Sequence, residues 1–98
     1  MMASGGLDIG STGCKVTVYD EKGRYLYRTY REYPVSRNVG EHEVRAEDIW
    51  QGVCEVLKDA GARYPGLRAV GVTSFGESCV LLDREDRPIR PVMLYTDP

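Results

Sequence analysis

The residues best suited to chemistry lie in one short turn near the amino terminus, and their types indicate phosphate binding. They are a carboxylate, two glycines, two hydroxyl side chains and a lysine: Asp8, Gly10, Ser11, Thr12, Gly13 and Lys15. Glycines let a backbone bend and approach a ligand closely, while N–H groups and hydroxyls can donate to phosphate oxygens. Lys15 adds a positive charge, and Asp8 could hold Mg²⁺ through water. Such a turn could cradle the phosphate chain of a nucleotide.

This turn is not a Walker A loop. The spacing Gly-x4-Gly-Lys-Ser/Thr is missing, and the residues after the turn predict a strand where a Walker A loop has a helix. A phosphate would therefore be bound by hairpin amides without the help of a helix dipole. Because Gly, Ser and Thr are common in turns for conformational reasons, a plain hairpin turn is an equal alternative for these residues taken alone.

The surrounding pattern predicts a mixed sheet with one crossover helix. Strands are predicted at 7–9, 15–19 and 24–33, with Asp20-Glu21-Lys22-Gly23 as the second hairpin turn. A strand predicted at 67–73 follows the helix and should pair in parallel with an earlier strand. Further extended segments are predicted at 78–82 and 89–95. The order β-β-β-α-β describes an α/β fold.

The predicted helix begins at Ala46 and ends at Gly61 or within Tyr64-Pro65-Gly66. Apolar residues at helical spacing predict its buried face: Ala46, Ile49, Trp50, Val53, Cys54, Leu57 and Ala60. Glu47 and Asp48 place negative charge in the first turn, where the helix dipole favours it.

Composition narrows the class of protein. The 98 residues carry 13 basic and 15 acidic side chains, a formal net charge of −2, which disfavours a nucleic-acid-coating role. Apolar runs fall far short of the ~20 residues that cross a bilayer, and the amino terminus lacks a signal-peptide pattern. A cytoplasmic protein without a membrane or nucleic-acid partner is expected. The three cysteines, Cys14, Cys54 and Cys79, are expected to be reduced, and the single histidine, His42, to be solvated.

The sequence resembles the amino-terminal part of the FGGY carbohydrate kinases, the xylulokinase, gluconokinase and glycerol kinase group. That family's motif Asp-x-Gly-Ser/Thr-Thr/Ser-x-x-Lys/Arg is present as Asp8, Gly10, Ser11, Thr12 and Lys15. The resemblance continues in order through Tyr19-Asp20-Glu21-Lys22-Gly23, Tyr33-Pro34, Gly40-Glu41-His42-Glu43, Trp50, Ala69-Val70-Gly71-Val72-Thr73-Ser74, Leu81-Leu82-Asp83 and Pro91-Val92-Met93-Leu94-Tyr95-Thr96-Asp97. It implies an actin-like, ribonuclease H-like fold, of which residues 1–98 are the amino-terminal part of the first domain.

The resemblance implies phosphoryl transfer from Mg²⁺·ATP to a hydroxyl of a sugar or polyol. Asp8 would hold the metal, and residues 10–13 with Lys15 would bind the ATP phosphates. The implied substrate-binding residues are Ser74, Phe75, Glu77, Ser78, Tyr95 and Asp97. Glu77 could accept hydrogen bonds from two adjacent hydroxyls, with an exposed loop acid as the alternative. The alternative interpretation of Asp97 is a structural one, in which its side chain is buried and hydrogen-bonded within the protein.

Departures from the family leave the substrate open between sugars and polyols. Glu77 is glycerol kinase-like, but Gly76 replaces the neighbouring Arg of that enzyme, and Tyr95 stands where many members have Trp. The catalytic base and the adenosine pocket are expected beyond Pro98, so the 98-residue chain alone is expected to be inactive. The resemblance also allows a homodimer of the full-length protein.

Two other classes compete with a kinase. One is a non-catalytic actin-like binding module, against which the Asp8 to Lys15 motif argues. The other is a ribonuclease H-like metal nuclease that uses Asp8 with further acids. The net charge of −2 and the Ser/Thr turn beside Asp8 argue against a nuclease.

Overall fold

The computed structural model describes residues 2–36, 43–76, 82–88 and 91–93. Most of these residues form β-strands or one long helix. In chain order the elements are β1 (Ala3–Ile9), β2 (Gly13–Asp20), β3 (Tyr25–Glu32), β4 (Val35–Ser36), β5 (Glu43–Val44), α1 (Ala46–Arg63), β6 (Leu67–Ser74) and β7 (Val92–Met93). The larger sheet has the order β3-β2-β1-β6, and the smaller sheet has the order β4-β5-β7. The predicted order β-β-β-α-β is therefore confirmed.

The first three strands form consecutive antiparallel hairpins, and β6 pairs in parallel with β1 as predicted. β1 begins four residues earlier than predicted, at Ala3. The residues between Ala3 and Leu7 have little strand propensity of their own, since two of them are glycines. They are extended because β1 is central and hydrogen-bonds to β2 on one side and to β6 on the other.

The turn between β2 and β3 is held by Asp20. Its Oδ1 accepts hydrogen bonds from the backbone N–H groups of Lys22 at 2.9 Å and Arg24 at 2.8 Å, and its Oδ2 accepts one from Nε of Arg24 at 2.8 Å. These donors, with the Arg24 N–H first, lower the pKa of Asp20. Gly23 has φ +79°, a left-handed conformation that glycine adopts without steric cost. The predicted hairpin turn is confirmed.

Helix α1 packs on β2 and β3, and polar contacts at its edge add to the apolar ones. Arg31 of β3 donates to Glu55 at 3.1 Å and to Asp59 at 2.5 Å, both of which lie on the helix. Ala60 O accepts the N–H of Tyr64 at 2.9 Å where the helix ends. The buried core between sheet and helix consists of Ala3, Leu7, Cys14, Val16, Val18, Tyr33, Val44, Val53, Val56 and Ala60.

The buried face of α1 differs from the predicted one. Trp50 was predicted to be part of it, but its side chain is 68% exposed, so that part of the prediction is wrong. The buried positions are Gly52, Val53, Val56 and Ala60. Gly52 carries no apolar side chain and so does not contribute to a hydropathy pattern, yet it lies directly against the sheet. Trp50 lies about 200° around the helix from Gly52, given about 100° per residue, and therefore faces solvent.

The structure bears on part of the remaining predictions, which concern the cysteines, the histidine, the later extended segments and a membrane span. Cys14 is buried and Cys54 partly buried, both as free thiols, and burial raises the pKa of Cys14. Leu82 and Pro88 form an isolated antiparallel bridge, and Val92–Met93 pairs with β5, so parts of both later extended segments are present. Cys79 and His42 lie outside the described residues. Within the described part of the chain, no helix is long and apolar enough to cross a membrane.

Candidate functional site

The two segments predicted to bind ligands lie at the same edge of the larger sheet. The 10–13 turn follows β1, and residues 74–76 are at the end of the parallel strand β6. The N–H of Phe75 donates to the carbonyl of Ile9 at 2.8 Å, which extends the pairing of the two strands. Ligands of open α/β sheets bind beyond the carboxyl ends of such strands. The structure therefore brings these two segments together.

A row of polar side chains crosses the sheet beside the 10–13 turn. Asp8 is paired with Lys15 on β2 and with Thr73 on β6, and Lys15 is paired with Tyr30 on β3. Directly paired residues share a face, and Cys14 and Val16, which flank Lys15, are buried on the α1 side. The row thus lies on the face opposite α1. Within the described residues, neither Asp8 nor Lys15 has an ion-pair partner, so both charges are available to a ligand.

The backbone of the 10–13 turn is closed by three hydrogen bonds. Gly10 N–H donates to Gly13 O at 2.9 Å, Tyr33 N–H donates to Thr12 O at 3.0 Å, and the Tyr33 hydroxyl donates to Gly10 O at 2.5 Å. In the described part of the chain no protein acceptor takes up the N–H or the hydroxyl of Ser11 or of Thr12. Four donors at the tip of the turn therefore remain for a ligand.

Gly13 also leaves space for β3, a role that the sequence pattern did not predict. Among the described residues, a positive φ occurs only at Gly23 and Asp86, so the 10–13 turn uses ordinary backbone angles. A Cβ on Gly13 would overlap the carbonyl oxygen of Arg31 and the ring and hydroxyl of Tyr30. The close approach that the glycine permits is to β3 of the same chain.

The structure describes only part of the expected sugar-binding segment. Ser74 is exposed at the end of β6, and the ring of Phe75 is partly buried against the hydrophobic core. Glu77, Ser78, Tyr95 and Asp97 lie outside the described residues, and their assignment stays a prediction.

One residue of the site was not recognised from the sequence. Tyr33 makes two of the three hydrogen bonds that close the turn, although it lies beyond the end of β3. The sequence offered only the dipeptide Tyr33-Pro34, because hydrogen bonds from a distant side chain to backbone carbonyls leave no local pattern.

The donor set suits a magnesium ion that is bound together with a nucleotide. Mg²⁺ in phosphoryl-transfer sites is held by one or two carboxylates and otherwise by substrate phosphates and water. Asp8 supplies one unpaired, partly exposed carboxylate next to the unused donors of Ser11 and Thr12. Among the described residues, no group of three or more His, Cys, Asp or Glu side chains gathers into a protein-made metal site.

Comparison with known proteins shows the family to which the chain belongs. Residues 3–98 match the N-terminal domain of the FGGY family of carbohydrate kinases. Glycerol kinase of Trichormus variabilis is 31% identical over 100 residues, which cover 93% of this chain and 19% of that protein. Erythritol kinase of Brucella abortus is 28% identical over 102 residues, with 94% and 19% covered.

A solved structure shows the same fold. The ligand-bound xylulose kinase of Lactobacillus acidophilus superimposes with a TM-score of 0.92 at 24% identity, over 99% of this chain and 20% of that one. This confirms the predicted actin-like, ribonuclease H-like fold, of which the chain contains a part. The chain spans about one fifth of the length of the relatives that it matches. From its matched residues and its fold, the chain belongs to the FGGY family of carbohydrate kinases.

Proposed function

We propose that the chain supplies the ATP-phosphate site and one wall of the sugar site of a carbohydrate kinase. The observation that carries this proposal is the group of four unused donors on Ser11 and Thr12, next to the unpaired carboxylate of Asp8. Phosphoryl transfer depends on positioning and on stabilisation of charge at the phosphates, which is what such groups provide. The chain would then form the amino-terminal part, residues 1–98, of the first actin-like domain.

Each residue of the phosphate site has a separate role in this proposal. The N–H groups and hydroxyls of Ser11 and Thr12 bind phosphate oxygens, and Lys15 balances part of their negative charge. Gly13 lets the backbone lie close to β3, and Gly10 leaves room for the Gly13 carbonyl across the turn. Asp8 holds Mg²⁺, which when bound neutralises phosphate charge.

The acceptor is a sugar or polyol held by the segments that follow β6 and β7. Ser74, Glu77 and Ser78 would contact its hydroxyls, with Glu77 accepting from two of them, and Tyr95 and Asp97 would contribute to the same pocket. Phe75 would support the segment from the core side. The base that deprotonates the attacking hydroxyl would come from a part of the kinase outside this chain. We also propose a cytoplasmic enzyme, a homodimer at full length, without a nucleic-acid or membrane partner.

The proposal is tested with Asp8→Ala in a protein that contains these residues and has the length of the matched kinases, called the kinase-length protein below. Sugar-dependent ATP consumption should fall by at least about 100-fold, because charge stabilisation of this kind contributes on the order of 10²–10³. Glu21→Ala, which removes an exposed carboxylate at the opposite end of β2, is the matched control and should keep wild-type activity. Circular dichroism should show both variants folded. Near-normal turnover by Asp8→Ala would contradict the proposal.

A panel of substrates decides between a kinase and a binding module. The kinase-length protein is assayed for ATP consumption with pentuloses, hexonates and polyols, and Mg²⁺·ATP binding is measured by calorimetry. A kinase consumes ATP with at least one of them. ATP binding without consumption on any of them would favour the non-catalytic module.

A further inference from the structure

We propose that Tyr33 is a positioning residue for the phosphate-binding turn, which orients the donors of Ser11 and Thr12 by holding the carbonyls on either side of them. The inference rests on the proposed role of the turn as a phosphate site. It assigns a task in nucleotide binding to a residue that would not itself touch the nucleotide.

The two hydrogen bonds of Tyr33 hold both ends of the tip of the turn. Its hydroxyl donates to the carbonyl of Gly10 at 2.5 Å, and its N–H donates to the carbonyl of Thr12 at 3.0 Å. A peptide group is planar and trans, so its C=O and N–H point in opposite directions. Holding the Gly10 carbonyl toward Tyr33 therefore directs the Ser11 N–H away from it, toward the open side of the turn.

The ring of Tyr33 is packed against α1. The residue is 4% exposed and lies in the core between the turn and α1. At Gly52 of α1, a Cβ would lie 3.5 Å from the Tyr33 ring and 3.2 Å from Sγ of Cys14, so the helix lies close against both residues at this point. Contact with α1 on one side and a hydrogen bond on the other hold the hydroxyl in place.

The hydroxyl keeps its proton in this setting. Burial raises the pKa of Tyr33, and the nearby Cys14, Tyr30 and Asp8 raise it further. The group is therefore a neutral donor at every pH at which the protein would work. An ordinary core tyrosine would need only its ring, whereas this one also uses its single hydroxyl proton on the turn.

The test compares Tyr33→Phe with Tyr27→Phe in the 98-residue chain. Tyr27 is a partly buried residue of β3, and the centroid of its ring lies 5.9 Å from that of Tyr64. Its hydroxyl has no hydrogen-bond partner among the described residues. Backbone ¹⁵N order parameters of Ser11 and Thr12 should fall from about 0.85 to below about 0.6 in Tyr33→Phe alone. Unchanged order parameters in Tyr33→Phe would overturn the proposal.

A second measurement uses the kinase-length protein. Tyr33→Phe should raise the KM for Mg²⁺·ATP about tenfold and leave the KM for the sugar within twofold, and Tyr27→Phe should change neither. A structural role alone would lower thermal stability without this split, and that result would contradict the proposal. The order parameters test the positioning role of Tyr33 without relying on enzyme activity. They would still do so if Asp8→Ala contradicted the proposed kinase function, so failure of one proposal can be distinguished from failure of the other.

Discussion

At the scale of single residues, Gly13 shows how the 10–13 turn is joined to the sheet. Its ordinary backbone angles would suit any residue, but its Cβ position is already occupied by the Arg31 carbonyl and the Tyr30 side chain. A backbone oxygen cannot move aside cheaply, because it belongs to the β2–β3 ladder. Replacing a glycine by alanine at a strand position with open space would not create such an overlap.

Gly13→Ala should therefore destabilise the chain by at least about 3 kcal/mol, the upper range for overpacking. Gly71→Ala in β6 is the matched control, since nothing lies within 4 Å of its Cβ position, and it should be neutral or stabilise by about 0.5 kcal/mol. Urea unfolding followed by circular dichroism measures both. Equal effects of the two substitutions would show that space at Gly13 is not the constraint.

At the scale of elements, α1 is placed by a glycine on its buried face. Gly52→Ala gains about 1 kcal/mol of helix propensity but brings a methyl group to 3.2 Å from Sγ of Cys14. Overpacking of this kind costs about 1–3 kcal/mol, so a net loss of about 1 kcal/mol is expected. Gly61→Ala, at an open position of the same helix, should stabilise by about 0.5–1 kcal/mol. Chemical denaturation is the measurement, and a stabilising Gly52→Ala would contradict the account of the helix face.

The turn of the β2–β3 hairpin makes the free energy of unfolding of the chain depend on pH below about pH 4. The pKa of Asp20 is lowered in the folded state, so its contribution is fully present above the unfolded-state pKa near 4. It is lost as the pH falls through the lower folded-state value. The urea midpoint should thus be flat from pH 7 to about pH 5 and fall below about pH 4.

Asp20→Asn should lower the midpoint at pH 7 and flatten its decline in acid. Glu21→Gln in the same turn should keep the wild-type pH profile, because no hydrogen bond or ion pair of its carboxylate is found among the described residues. Urea titrations at half-unit pH steps measure the profiles. An unaltered acid decline in Asp20→Asn would assign the effect to other carboxylates.

At the scale of the whole molecule, the helix covers only part of the larger sheet. α1 packs on β2 and β3, whereas Val72 on β6 is 63% exposed. The relatives are about five times longer than this chain. We expect the remainder of a kinase-length protein to cover β6.

Val72→Ser should accordingly change the stability of the 98-residue chain by less than about 0.5 kcal/mol, as for most surface positions. In the kinase-length protein the same substitution should cost about 2 kcal/mol, the scale of burying a valine. Leu7→Ala, which is buried in the chain itself, should cost about 3 kcal/mol in both proteins. A small effect of Val72→Ser in both would show that β6 stays uncovered.

By itself the sequence predicted the main strands, the helix and their order, but not the short strands β4 and β5. Apolar periodicity and turn residues are local, so α1, the Asp20 to Gly23 turn and the parallel strand after the helix were all predictable. The motif from Asp8 to Lys15 is also local and indicated the family, while its role as a phosphate site stays a prediction. The structure confirmed this layout, and the match of residues 3–98 shows the family to which the chain belongs.

Only the tertiary structure decided which surfaces meet. It extended β1 to Ala3 through partners on both sides, turned Trp50 outward, and gave Gly13 and Gly52 their roles as points of close approach. It also placed the Tyr33 hydroxyl on the carbonyl of Gly10 in the 10–13 turn. Each of these depends on contact between segments that are distant in sequence, and the absence of a side chain at a contact leaves no signal in a hydropathy pattern.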